Sequence, residues 1–250
     1  MSHILKRLSG VTTRKPLVKT EMRKPRAVIF DMDGVLTDSE WFIAEAGCLM
    51  FKENHGIEAV HEDFLPFVGQ GEKRFLGGVA EKYGLTGFNT EKDKARTFEI
   101  YVEIIKGKLQ PMPGAVDFVR RCRELGIKTA LATSTDRIKM TANLQAIGLV
   151  DARTETVAGN DAFDAMVNGL DVERQKPFPD IYLEAASRIE TDPADCWVVE
   201  DSVSGVRAAK SAGMNCLGLL TTFPEEAIRN AGADRIAKDL SAIRPEDLSV

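Results

Sequence analysis

Ala27-Val28-Ile29-Phe30-Asp31-Met32-Asp33-Gly34-Val35-Leu36-Thr37-Asp38-Ser39-Glu40 is the stretch from which the fold can be read. Its first four residues form an apolar run without alternation, the mark of a strand buried on both faces. Two aspartates follow, one residue apart, and then a glycine. At the end of a strand the side-chain period is two, so Asp31 and Asp33 project to the same side. Carboxylates held that close repel each other. A hard divalent cation relieves the repulsion, and oxygen ligands with net negative charge suit magnesium. Gly34 lets the chain turn away sharply. Asp-x-Asp-Gly also occurs in calcium loops and ordinary turns. An EF-hand loop is excluded, because the further acidic ligands and the Glu at its twelfth position are missing.

Around this stretch, composition sets the bounds. A chain of 250 residues holds one large domain, or a core with a modest inserted one. With 44% hydrophobic and 28% charged residues it reads as a soluble globular protein. A net charge of −5 disfavours a nucleic-acid partner. No apolar run approaches the ~20 residues that span a bilayer. Cys48, Cys122, Cys196 and Cys216 lie far apart and form neither a C-x-x-C pair nor a zinc spacing. They read as reduced structural thiols of a reducing compartment. Residues 1–24 are basic, with a single acid at Glu21, and lack the apolar core of a signal peptide. They read as a flexible leader on a cytoplasmic protein, with an organellar transit segment as the alternative.

Beyond Glu40 the pattern is helical to about Lys108, with segments at Trp41–Phe51, Asp63–Phe67, Phe75–Tyr83 and Thr90–Lys106. Trp41 and Phe42 are expected in the core of the first of these, with a place lining the hinge to this helical segment as the alternative. His3, His55 and His61 have no metal-ligand spacing and read as surface or loop residues. From Gln110 onward helices and strands alternate. A helix over Ala115–Leu125 ends at Gly126, a C-cap. Strands are expected at Ile127–Ala132, Thr156–Ala158, Val198–Glu200 and Cys216–Leu220. Phe223-Pro224-Glu225-Glu226 reads as a helix start. This alternation predicts an α/β protein with a Rossmann-like, doubly wound, mainly parallel sheet. In such sheets the site lies beyond the carboxyl ends of the strands.

Three further groups fall at those ends. Thr133-Ser134-Thr135 follows the second strand, where hydroxyls and free amides at a helix N-terminus can bind phosphate, or simply cap the helix. In Lys176-Pro177-Phe178-Pro179-Asp180 the prolines fix the backbone and Asp180 is placed to cap the next helix. Val198-Val199-Glu200-Asp201-Ser202 delivers two acids to a strand end, and buried paired acids call for a metal.

Taken together, Asp31-x-Asp33-Gly34-Val35-Leu36, Thr133, Lys176-Pro-x-Pro-Asp180 and Glu200-Asp201-Ser202 resemble, in order, the four motifs of the haloacid dehalogenase superfamily. The resemblance covers about residues 25–245 and is to the β-phosphoglucomutase and sugar-phosphate phosphatase branch. It implies Asp31 as a nucleophile that becomes an aspartyl-phosphate, Asp33 as general acid/base, and Lys176 as the cation that neutralises the nucleophile and the transferring phosphoryl group. It implies Thr133 at the phosphate, with Ser134 and Thr135 in support. It implies Mg2+ held by Asp31, the Asp33 backbone carbonyl, Asp201 and, directly or through water, Glu200. Residues 41–108 correspond to a helical cap domain, and residues 25–40 with 109–250 to the core domain. In the cap loop Gly69, Glu72 and Lys73 are the substrate-facing positions. The stretch Pro66–Ala80 is also similar to the corresponding domain of plant chloroplast quenching-suppressor proteins.

Two departures bear on the reaction. Glu72 stands where phosphomutases of the branch carry an arginine, and Thr97 where they carry a lysine. The reversed charge should repel an anionic intermediate, although Lys73, Arg74 or Arg96 could substitute. The expectation is a monomeric phosphatase for a small phosphorylated metabolite, a sugar phosphate, with a phosphomutase as runner-up. A non-catalytic binding module is the third reading.

Overall fold

The computed structural model describes residues 24–67, 72–150 and 162–249, without the side chains of Glu72 and Lys73. The leader, Gly69 and the strand expected at Thr156–Ala158 lie outside the described residues. The frame is a six-stranded parallel sheet in the order β3-β2-β1-β4-β5-β6. Its strands are β1 (Ala27–Phe30), β2 (Lys128–Ala132), β3 (Ala165–Val167), β4 (Cys196–Glu200), β5 (Asn215–Leu219) and β6 (Arg235–Ala237). β3 and β6 were not read from the sequence. Both are three residues long: β3 is buried and apolar but too short to stand out, and β6 is half exposed.

β1 shows why the sheet is wound on both sides. All four residues are buried, and they alternate between two cores. Val28 and Phe30 join one cluster, Ala27 and Ile29 the other. The first core is covered by α4 (Ala115–Glu124) and α5 (Arg137–Ala146). The second is covered by α6 (Asp180–Arg188), α7 (Val203–Ser211) and α8 (Glu225–Ala231). Phe30 meets Phe118 edge-on at 6.0 Å and Phe163 at 6.2 Å. Burying a side chain of this size contributes roughly 1.5–3 kcal/mol. The strand order reverses at β1, with β2 on one side and β4 on the other, and the crevice at this switch point opens beyond the carboxyl ends.

Between β1 and α4 the described elements are all helical: α1 (Glu40–His55), two 3-10 turns, α2 (Glu72–Lys82) and α3 (Thr90–Ile105). Phe51, Phe64, Leu76, Val79, Phe98 and Tyr101 pack these helices together in a core continuous with the sheet's first face. Gly56 closes α1 in the left-handed conformation, and the Asn89 side chain caps α3 through the Lys92 amide at 3.0 Å. Trp41 is 57% exposed rather than in the core, set against Phe42 and His61. His55 is no surface residue: it ends α1 with its Nε2 3.1 Å from Oδ2 of buried Asp93. No helix among the described residues is long and apolar enough to cross a membrane.

Candidate active site

Pairing of β1 with β4 runs through Phe30 and Val199, and the Asp31 amide donates to the Val199 carbonyl at 3.0 Å. This brings Asp31 beside Glu200 and Asp201. Acid oxygens of the three lie within 4.8 Å of one another, and all three residues are buried. Lys176 enters from the loop before α6, at a cis Lys176–Pro177 peptide. Its Nζ donates to Asp31 Oδ1 and Glu200 Oε1, both at 2.7 Å. The Tyr182 hydroxyl donates to the same Glu200 oxygen at 2.9 Å, and the Tyr182 ring lies 5.0 Å from the ammonium. Glu200 Oε2 accepts from the Asp201 and Ser202 amides at 2.8 and 2.7 Å and from the Ser202 hydroxyl at 2.9 Å.

These contacts divide the acids by role. Glu200 has both oxygens committed to protein donors and serves first to hold Lys176. Burial opposes its charge, yet Lys176 and the β4–α7 donors keep its carboxyl below the usual range. Burial pushes Asp31 up to about 7; Lys176 opposes this, and Glu200 adds to it. Asp201 is pushed well above the usual range by burial and then by Glu200 and Asp31. Lys176, although buried, is raised by the two carboxylates it touches. No lysine or arginine among the described residues contacts Asp201. Three buried carboxylates therefore face one ammonium, and their donor set of hard oxygens fits a divalent cation. Gly34 allows the approach: at φ +78°, an added Cβ would lie 1.9 Å from Asp201 Oδ2.

Asp33 is held by a separate set of partners. Ser39 sits at the N-cap of α1, yet its hydroxyl donates to Asp33 Oδ1 instead of capping the helix. Lys139 Nζ donates to Asp33 Oδ2 at 2.7 Å. Asn143 Nδ2 donates to Asp33 Oδ1 at 3.4 Å and to Thr37 Oγ1 at 3.2 Å, and Asn143 Oδ1 accepts from the Tyr101 hydroxyl at 2.5 Å. Sequence reading missed Lys139, Asn143, Tyr182 and Ser39. A signal was present for two of them: Lys139 and Asn143 share the buried face of α5 with Met140 and Leu144, where apolar residues are the rule.

The crevice encloses about 630 Å³. Asp31, Asp33, Thr133, Ser134, Thr135, Lys176 and Asp201 line its floor, and Ile43, Phe67 and Phe75 from the helical insert form the opposite wall. Thr133, at the end of β2, is buried, and its Oγ1 accepts from the Thr135 amide at 3.3 Å. The cap of α5 is Asp136 rather than a hydroxyl residue, with Oδ1 accepting from the Ile138 amide at 3.1 Å. Asp180 likewise does not cap α6; it pairs with Arg174 at 2.7 and 2.8 Å. Gly69 and the side chains of Glu72 and Lys73 lie outside the described residues. Arg74 pairs with Glu81, and Arg96 with Glu53 and Glu99, so both are engaged on the surface. Thr97 is buried and bonds the Asp93 carbonyl at 2.8 Å. Among the described residues that line the crevice, the cations are Lys139, Lys176 and Arg207.

This geometry has relatives. The chain is 40% identical to Protein SUPPRESSOR OF QUENCHING 1, chloroplastic, of Arabidopsis thaliana, over 90% of its own length and 21% of that protein. It therefore spans about a fifth of the plant protein. It is 33% identical to the phosphorylated carbohydrates phosphatase of Thermotoga maritima, over 89% of this chain and 95% of the relative. The crystal structure of CbbY from Rhodobacter sphaeroides in complex with phosphate matches with a TM-score of 0.73 at 27% identity, covering 87% of this chain and 95% of that one. A family model for haloacid dehalogenase-like hydrolases matches residues 25–213. With that match, and a relative of similar length at 33% identity, the chain belongs to the haloacid dehalogenase-like hydrolases, an enzyme family.

Proposed function

We propose that the protein is a magnesium-dependent phosphatase for a small phosphorylated metabolite, a sugar phosphate in the first instance. The observation that carries this is the placement of Lys176 at 2.7 Å from both Asp31 and Glu200, with Asp33 held two residues beyond Asp31 at the same strand end. In this reading a carboxylate oxygen of Asp31 attacks the phosphoryl phosphorus as the ester P–O bond breaks. The departing oxygen takes the proton of the Asp33 carboxyl. A water molecule then attacks the aspartyl-phosphate and gives its proton back to Asp33. The Asp31–phosphorus bond breaks, and inorganic phosphate leaves. Lys176 holds Asp31 in place and offsets the charge of the transferring group. Thr133, Ser134 and Thr135 bind the phosphoryl oxygens. Asp31, the Asp33 carbonyl and Asp201 would hold the metal, with Glu200 reaching it through water. A bound magnesium ion supplies charge neutralisation at the phosphoryl group.

The Thermotoga relative, named a phosphatase of phosphorylated carbohydrates, supports the substrate class. Residues 41–108 would act as the cap that covers the substrate, over the core formed by 25–40 and 109–250. All four cysteines are free, which fits a reducing compartment, the cytoplasm or an organelle. The test is phosphate release across a panel of sugar and small-acid phosphates, with magnesium and with EDTA. Conversion of β-glucose 1-phosphate is followed in parallel. Magnesium-dependent release that vanishes in Asp31→Asn is the expected result. Isomerisation without net phosphate release would give the mutase reading in its place, and activity surviving in pure Asp31→Asn would remove Asp31 as nucleophile.

A further inference from the structure

We propose that Lys139, on α5, is a positioning residue that sets the Asp33 carboxyl for proton transfer to the leaving group. The inference rests on the phosphatase reading above. Lys139 is a buried lysine whose side chain is 7% exposed, and it lines the crevice. Its ammonium lies 2.7 Å from Asp33 Oδ2 and 5.9 Å from the centre of the Tyr101 ring. The other Asp33 oxygen accepts from Ser39 and Asn143. The carboxyl is thus gripped through both oxygens, from the loop after β1 on one side and from α5 on the other.

The grip is directional. Asn143 is itself fixed by the Tyr101 hydroxyl at 2.5 Å and by Thr37 at 3.2 Å, so it meets Asp33 from a set angle. Lys139 then selects the rotation of the carboxyl about its own axis. Asp33, Glu40 and the Tyr101 ring are among the groups near the ammonium; Glu40 lines the same crevice. A lysine used only for packing would point its stem into the core and its head to solvent. Here the head is turned inward, onto the acid/base carboxyl. A general acid must meet the departing oxygen within hydrogen-bond reach, so an error in carboxyl rotation is paid in rate rather than in binding.

Leaving-group dependence separates this role from a structural one. Nitrophenolate departs as the anion and needs no proton, whereas an alkoxide does. The ratio kcat/KM covers the steps through departure of that group. In Lys139→Met, kcat/KM for an alkyl phosphate such as a sugar 6-phosphate should fall on the order of 10–100-fold, part of the 10²–10⁴ that acid–base catalysis contributes. The same variant should lose less than about 3-fold on p-nitrophenyl phosphate, the unprotonated reference for that effect. Lys139→Arg should recover part of the alkyl activity. An equal fall on both substrates in a folded variant, or no fall on either, overturns the proposal. Where Lys139→Met does not fold, Lys139→Gln carries the same comparison. A wild-type protein silent on both substrates would bring down the phosphatase reading itself, and this inference with it.

Discussion

Gly205 lies in the first turn of α7, and a Cβ there would fall 1.5 Å from Glu200 Oε1 and 1.9 Å from Cδ. The missing side chain is what lets Glu200 reach Lys176, Tyr182 and the two amides of the β4–α7 turn at once. Gly205→Ala is expected to displace the carboxylate, loosen Lys176 and cut kcat by at least about 10-fold, since small misplacements of catalytic groups cost up to about 10²-fold. Overpacking should also cost about 1–3 kcal/mol, read from the urea midpoint. An unchanged rate would show that Lys176 keeps its place without Glu200. At this scale much of the site is legible in sequence, because strand ends put Asp31, Glu200 and Asp201 on predictable positions. Glu200 illustrates the limit. Its charge pairs it with a metal on paper, while the fold gives both its oxygens to protein donors.

Among the elements, the start of α5 departs most from what its sequence suggests. The sequence offered Thr133 to Thr135 as a capping run, but Asp136 caps the helix and also accepts from Lys94 of α3 at 3.1 Å. One carboxylate thus serves the start of α5 and its contact with the insert. Asp136→Ala should destabilise the protein by about 1–2 kcal/mol through the lost cap and the lost partner of a half-buried lysine. Chemical denaturation would measure it, and a loss below about 0.5 kcal/mol would leave the cap without energetic weight. Long elements with a clear period, such as β1, α1 and α3, were readable because burial on defined faces writes itself into the spacing of apolar residues. β3 and β6 were not, being three residues each, held by register with a neighbour rather than by their own pattern.

For the whole molecule, the buried acids tie stability to pH and, in the proposed site, to metal. The folded chain holds the Asp31 proton to about 7, against an ordinary value of 3.8, and Asp201 moves in the same direction. The folded state binds these protons more tightly than the unfolded chain. The Asp31 contribution is therefore fully present at low pH and is lost as pH rises through the interval up to about 7, and Asp201 acts in the same sense. Glu200 runs the other way, because its lowered carboxyl favours folding only once ionised. In the proposed site magnesium would compete with the protons at Asp31 and Asp201. The rise in melting temperature on adding it should be larger at about pH 8 than at about pH 5.5, where protons already relieve the repulsion. Equal shifts at both pH values, followed by thermal melts, would remove these acids as the metal's ligands.

The cluster that Lys176 joins has one more consequence. Three carboxylates against one ammonium, all out of solvent, form an arrangement that folding alone would not choose. In the proposed reaction its field would be set before any substrate arrives, so each catalytic cycle would be spared the work of turning dipoles into place. Durability is what the protein gives up in exchange. An inactive Asp31→Asn protein, relieved of one like charge, should therefore outlast the working enzyme when heated without metal.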